Sequence, residues 1–158
     1  MSCKILVISD THGNQVKTGM IIKKEAPFDC LVHCGDGIGD LEGMPIPVSA
    51  TVIKVPGNVD LYRYRGLDRI ETAEICGRSI MVVHGDIFGV HSDYAGLIDA
   101  ARERDVDIVF FGHTHVPLYR EGSPVLFNPG TVTNGSYGVV TLPGLEGGSF
   151  VHKNILHG

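Results

Sequence analysis

Residues that can ligate a metal recur at five places in this chain, each directly after an apolar run. Asp10-Thr11-His12 follows Ile5–Ile8, Gly35-Asp36 follows Cys30–Cys34, and Gly57-Asn58-Val59-Asp60 follows Thr51–Val55. His84-Gly85 follows Ser79–Val83, and Gly112-His113-Thr114-His115 follows Ile108–Phe111. Imidazoles together with oxygen donors suit borderline divalent ions, manganese first here with zinc, iron or nickel as alternatives, better than calcium or magnesium alone. Residues two apart in extended chain share a face, so Asp10 with His12, and His113 with His115, are each expected to converge. Taken singly, each cluster has an ordinary explanation: a turn aspartate, a hydrogen-bonded strand-end histidine, a tight Gly-Asn-Val-Asp turn. Five in succession, all at strand ends, point instead to one metal centre, because open sheets bind ligands at the carboxyl ends of their strands.

The elements that must position these residues follow from apolar periodicity. Lys4–Ser9 predicts a buried strand, and a helix is expected over Gln15–Glu25, stopped at Ala26 by Pro27. Cys30–Cys34 and Thr51–Val55 predict two more strands, and this strand–helix–strand opening favours a parallel sheet. Arg69–Ile75 and Ser79–Val83, joined by Cys76-Gly77-Arg78, predict a hairpin. A second helix is expected over Asp93–Arg104, with Tyr94, Leu97, Ile98 and Ala101 forming one apolar stripe. Ile108–Phe111 predicts a buried strand, followed by short strands at Pro117–Arg120, Val125–Asn128, Tyr137–Leu142 and Phe150–Ile155. A parallel front and an antiparallel back imply an α/β fold, a two-sheet β-sandwich flanked by helices.

With 158 residues, the chain is expected to form a single domain over residues 1–158. Its net charge of −5 disfavours an extended nucleic-acid-binding surface, though not a phosphate ester held by metal ions. The apolar runs are too short to span a membrane, and no secretory signal is expected at the start. Cys30 and Cys34 would lie roughly 13 Å apart on a strand, too far for a disulfide. Cys3, Cys30, Cys34 and Cys76 are expected to be reduced, buried thiols in a cytoplasmic protein. A zinc site at Cys30, His33 and Cys34 is rejected, since His33 would face away from both thiols.

The ordered set D-x-H, G-D, G-N-x-D, H-G and G-H-T-H resembles the calcineurin-like metallophosphoesterase superfamily, over Ile5 to about Tyr137. The short length, the Asn128-Pro129-Gly130 segment and the absence of cap insertions resemble its small single-domain phosphodiesterase branch, to which a retromer subunit is related in fold. The resemblance implies Asp10, His12 and His115 as ligands of a first metal, Asn58, His84 and His113 as ligands of a second, and Asp36 as the bridge. Asp36, Asn58 and Asp60 are the residues to which it assigns catalysis, Asp60 as a carboxylate orienting a nearby imidazole. The reaction implied is in-line attack on phosphorus by a metal-bound hydroxide at a two-metal centre.

One departure changes the expected chemistry. The superfamily commonly has histidine where this chain has Val59, and valine can neither donate a proton nor hydrogen-bond a phosphoryl oxygen. Small or exposed phosphodiesters are therefore the expected substrates, ahead of phosphomonoesters. The third alternative is a non-catalytic scaffold like the retromer subunit. No membrane partner is expected, and homo-oligomer formation stays open. His33 has no role by this reasoning, and His91 is expected to serve the entry of the second helix, with a reach into the site as the alternative.

Overall fold

The apolar runs at Ile5–Ile8, Cys30–His33, Ile80–Val83 and Ile108–Phe110 become strands buried on both faces, which is why they read as continuous rather than alternating, whereas Thr51–Lys54 becomes a largely exposed edge strand. In the computed structural model, which describes residues 2–157, the strands are β1 (Cys3–Ile8), β2 (Cys30–His33), β3 (Thr51–Lys54), β4 (Ile70–Ile75) and β5 (Arg78–Val83), followed by β6 (Ile108–Phe110), β7 (Leu118–Arg120), β8 (Val125–Asn128), β9 (Ser136–Leu142) and β10 (Ser149–Asn154). Among the described residues there are two α-helices, α1 (Gln15–Glu25) and α2 (Ala95–Glu103), and four short 3-10 turns at Ile38–Leu41, Asp60–Tyr62, Asp86–Phe88 and Val132–Asn134. Among the described residues, no helix is long and apolar enough to cross a membrane.

Ten strands make two five-stranded mixed sheets, ordered β10-β9-β1-β2-β3 and β4-β5-β6-β8-β7. The division into a parallel front and an antiparallel back needs correction. The C-terminal β9 returns to pair antiparallel with β1, and β8 lies parallel to β6. Each sheet therefore has a parallel centre with antiparallel strands beside it. That arrangement brings the carboxyl ends of β1, β2, β5 and β6 to the site described below.

Alternate side chains of these strands fill different layers. Ile5, Val7, Val32, Ile80, Val82 and Phe110 pack between the sheets. Leu6, Ile8 and Leu31 face the other way, onto Ile21 and Ile22 of α1. Met81, Val83 and Val109 likewise face Leu97 and Ala101 of α2. Each such side chain, once fully buried, contributes about 1.5–3 kcal/mol from removal of apolar surface.

Local sequence sets the helix ends. Asn14 caps α1, its Oδ1 accepting the Lys17 N–H at 3.0 Å, and Ala26 is extended ahead of Pro27. Helix α2 starts two residues later than expected, because Asp93 spends its carboxylate on the Ala95 N–H at 3.0 Å and stays outside the helix.

The cysteines need the second correction. Cys3, at the start of β1, and Cys76, in the β4–β5 turn, form a disulfide with Cα atoms 6.1 Å apart, tying one sheet to the other. Only Cys30 and Cys34 are buried free thiols, so the cysteine argument for a reducing compartment covers those two alone. Burial, with the Asp29 charge, pushes the Cys30 thiol up to about 12, and burial pushes Cys34 well above its ordinary value. Neither is a reactive thiolate near neutral pH.

Candidate metal centre

Five of the residues placed at strand ends have left-handed backbones. Asp10 (φ 54°), His12 (43°), Asp36 (64°), His113 (71°) and His115 (65°) make up five of the seven non-glycine residues with positive φ among the described residues. Such conformations cost about 1–3 kcal/mol each and persist where the surroundings over-determine them. They also correct how the side chains converge. Asp10 with His12 and His113 with His115 meet through left-handed turns beyond β1 and β6, not through the period-two geometry of an extended strand.

Two groups of donor atoms result. In each, the atoms lie within 4.8 Å of one another: Asp10, His12 and His115 in one, Asp36, His84 and His113 in the other. His12 Nε2 is 3.4 Å from His115 Nε2, and His113 Nδ1 is 3.1 Å from His84 Nε2. The groups touch. Asp36 Oδ2 lies 3.2 Å from His84 Nε2 and 3.9 Å from His12 Nε2, and Asp10 Oδ1 lies 4.0 Å from His84 Nε2.

These donors are short of something positive. Asp10 is fully buried, and its Oδ2 is satisfied by the Ser9 hydroxyl at 2.5 Å and the His113 N–H at 3.2 Å. Its Oδ1 has no hydrogen-bond partner, yet faces His115 Nε2 at 3.1 Å and His12 Nε2 at 3.5 Å. A buried carboxylate oxygen left this way costs several kcal/mol unless a cation answers it, so the residues present fit divalent metal ions. His84 is set for the same task. Its Nδ1 donates to the Cys34 carbonyl at 2.8 Å, so in the neutral imidazole the lone pair falls on Nε2, 3.2 Å from Asp36 Oδ2, where without a metal ion a proton is favoured instead. Burial opposes the charged form of His84, but Asp36 and Asp10 outweigh it and raise the imidazole above its ordinary pKa. Burial pushes the Asp36 carboxyl up; His84, the Val59 N–H and His12 together bring it below its usual value.

Asp36 presents one oxygen rather than two. Oδ1 accepts the Val59 N–H at 2.9 Å, leaving Oδ2 to face the imidazoles of both groups. Asn58 lies in sequence between Gly57 and Val59, which both pack on Asp36; its own side chain is exposed and forms no hydrogen bond with the described residues. Asp60, expected to orient an imidazole, does something else. Its two oxygens accept the backbone N–H groups of Asp36 (2.7 Å), Gly37 (2.9 Å) and Gly57 (3.0 Å), so it clamps the loop after β2 to the loop after β3. His91 does not cap α2; its ring packs on His113 with centroids 4.5 Å apart.

Several supporting residues are not ligand candidates themselves. His33 Nδ1 accepts the Gly35 N–H at 3.0 Å, and Nε2 meets Thr11 Oγ1 at 3.1 Å. Thr11 then donates to Asp40 Oδ2 at 2.6 Å. Burial drives the His33 imidazole down to about 4, so it stays neutral and ties the Asp10–His12 turn to the Asp36 loop. Asn128 donates to Gly112 O at 3.1 Å and to Thr114 Oγ1 at 3.0 Å, holding the turn that carries His113 and His115. Gly112 lets that turn close on β1: a Cβ there would lie 2.0 Å from Ser9 Oγ. The sequence cues to this support are the Asn128-Pro129-Gly130 segment and the polar residues adjoining a ligand candidate, such as Ser9 and Thr11.

A helix-flanked pair of mixed sheets with two touching His/Asp groups at the strand ends defines a metallophosphoesterase-type protein. The family described as "Calcineurin-like phosphoesterase superfamily domain" matches residues 3–142, and the chain belongs to that superfamily. It is 32% identical over 151 residues to the probable metallophosphoesterase YsnB of Bacillus subtilis, covering 87% of this chain and 83% of that one. It is 27% identical over 153 residues to a phosphodiesterase of Methanocaldococcus jannaschii, covering 88% of this chain and 90% of that one. In fold it is similar to a predicted phosphoesterase of Streptococcus pneumoniae (TM-score 0.74, 23% identity, 97% and 99% of the chains covered). It is also similar to Vps29 of Entamoeba histolytica solved with Zn²⁺ (TM-score 0.70, 20% identity, 96% and 99% covered).

Proposed function

We propose that this chain is a metal-dependent phosphodiesterase that hydrolyses small or exposed phosphodiesters at a centre of two divalent cations, manganese first among them. The unpartnered Asp10 Oδ1, buried between His12 and His115, carries the reading. In this reading Asp10, His12 and His115 would hold one ion, Asn58, His84 and His113 would hold the other, and Asp36 would serve both. Bound there, the cations would supply Lewis acidity, neutralising phosphoryl charge and acidifying water.

The chain's own residues favour diesters. Val59 is 58% exposed beside Asp36 and lines an open groove of about 360 Å³ that begins at His12. An apolar side chain at that place donates no proton to a departing alkoxide. A dianionic monoester with a basic leaving group suffers most from that lack, whereas a diester brings one negative charge fewer to the phosphorus. Ester hydrolysis that disappears on chelation, with metal loss verified by elemental analysis, and returns with manganese is the expected result. Activity that survives complete metal removal overturns the proposal.

A further inference from the structure

The groove that opens from the metal centre has a built far wall that the hydrolytic reading leaves without a task. Its near end is His12 and Val59; its far end is Glu42, Arg63 and Tyr64. The Tyr64 hydroxyl donates to Glu42 Oε1 at 3.1 Å, and the Arg63 guanidinium lies 5.3 Å from the Tyr64 ring centroid. Gly39 lets the ring close onto the 38–41 turn: a Cβ there would lie 2.6 Å from Tyr64 Oη. Tyr64 is consequently half-buried and fixed, with part of its ring open to the groove.

Charge within the groove is also arranged. Asp40 and Asp60 line it, but their carboxylates are turned onto Thr11 and Gly13, and onto the amides of Asp36, Gly37 and Gly57. Arg63 is 69% exposed, and its pair with Glu42 at 3.6 Å is a solvated one that holds it weakly. It is the one guanidinium among the residues lining the groove. A fixed aromatic ring beside a weakly paired guanidinium suits a flat, hydrogen-bonding heterocycle, because bases stack on both tyrosine and arginine planes. The volume, about 360 Å³, lies near the lower end of the roughly 300–1,000 Å³ of ligand pockets, room for one nucleoside rather than a strand.

Resting on the phosphodiesterase reading, we propose that this groove is the subsite for the nucleoside arm of the substrate, its base held by Tyr64 and Arg63. The substrates are then nucleoside phosphodiesters, and Tyr64 is a specificity determinant.

The test compares two diesters with the same leaving group, thymidine 5′-(p-nitrophenyl) phosphate and methyl p-nitrophenyl phosphate, on manganese-loaded protein. Loss of a base-stacking side chain typically costs a factor of roughly 5 to 150, so Tyr64→Ala should lower kcat/KM for the thymidine ester about ten-fold, mainly through KM. The methyl ester should stay within about two-fold, which also certifies that the variant is folded; Tyr64→Phe should keep the preference, and Tyr62→Ala, outside the groove, should change neither ester. Binding of thymidine 5′-monophosphate, measured by calorimetry, should weaken in parallel. Equal losses on both esters in Tyr64→Ala, or no thymidine preference in the wild type, overturn the subsite. Should neither ester be hydrolysed, the phosphodiesterase reading falls, and the calorimetry decides the groove separately: binding that depends on Tyr64 sustains it, and Tyr64-independent or absent binding overturns it.

Discussion

Asp60 holds Asp36 by its backbone: Asp60 Oδ2 accepts the Asp36 N–H at 2.7 Å, while the Asp36 side chain turns to His84 at 3.2 Å. The acidic residue at the end of Gly-Asn-Val-Asp thus acts on the metal centre through main chain. Replacing it with alanine strands three amide donors, two of them buried. With about 1–3 kcal/mol for each buried donor left unpaired, Asp60→Ala should destabilise the metal-free protein by roughly 2–6 kcal/mol, read from urea unfolding in chelator. A loss under about 0.5 kcal/mol would show that water replaces the carboxylate and that the clamp is dispensable.

Metal stoichiometry separates the roles of two ligand candidates. Asp36 Oδ2 faces imidazoles of both groups, whereas His115 belongs to one. An amide in place of the Asp36 carboxylate removes the shared charge, so Asp36→Asn should lose more metal than His115→Ala under the same dialysis. Elemental analysis giving wild-type stoichiometry for Asp36→Asn would count against a shared oxygen.

Val59 sets the expected response to the leaving group. General acid catalysis is typically worth about 10²–10⁴-fold, and an exposed valine supplies none. Across a series of aryl methyl phosphodiesters, rates should fall steeply as the departing phenolate becomes more basic. Val59→His should improve monoesters relative to diesters. A shallow slope in the wild type would mean that another group already donates, and His91, packed on His113, is the one to substitute next.

The buried His33 makes stability depend on pH in a stated direction. Its folded pKa of about 4 lies below the ordinary value of 6.5, so the unfolded chain binds the extra proton first. Stability from this group is complete above about pH 6.5 and is lost as pH falls toward 4, by about 3 kcal/mol in all. His33→Asn keeps an acceptor for the Gly35 N–H and removes the titration. Urea midpoints of wild type and variant, followed in chelator from pH 7 to 4, should converge as the pH drops. Parallel curves would mean that His33 is not held neutral.

Much of this molecule is local in origin. Helix α1 runs over Gln15–Glu25 as its Asn14 cap and Ala26-Pro27 stop require, and each apolar run becomes a strand with the ligand candidates just beyond its end. These features depend on periodicity, caps and turn residues, which neighbouring positions in sequence determine. Tertiary structure decided the rest. It returned β9 to β1 and set β8 beside β6, because a strand's apolar faces specify burial but not which strand lies alongside. It joined Cys3 to Cys76 across 73 residues. Asp10, His12, Asp36, His113 and His115 took positive φ for the same kind of reason. A left-handed turn at a non-glycine residue is held by contacts distant in sequence, here the hydrogen bonds of Asp10 with His113, Thr11 with Asp40, Asp60 with Asp36 and Asn128 with Gly112, and no short stretch of sequence contains those partners.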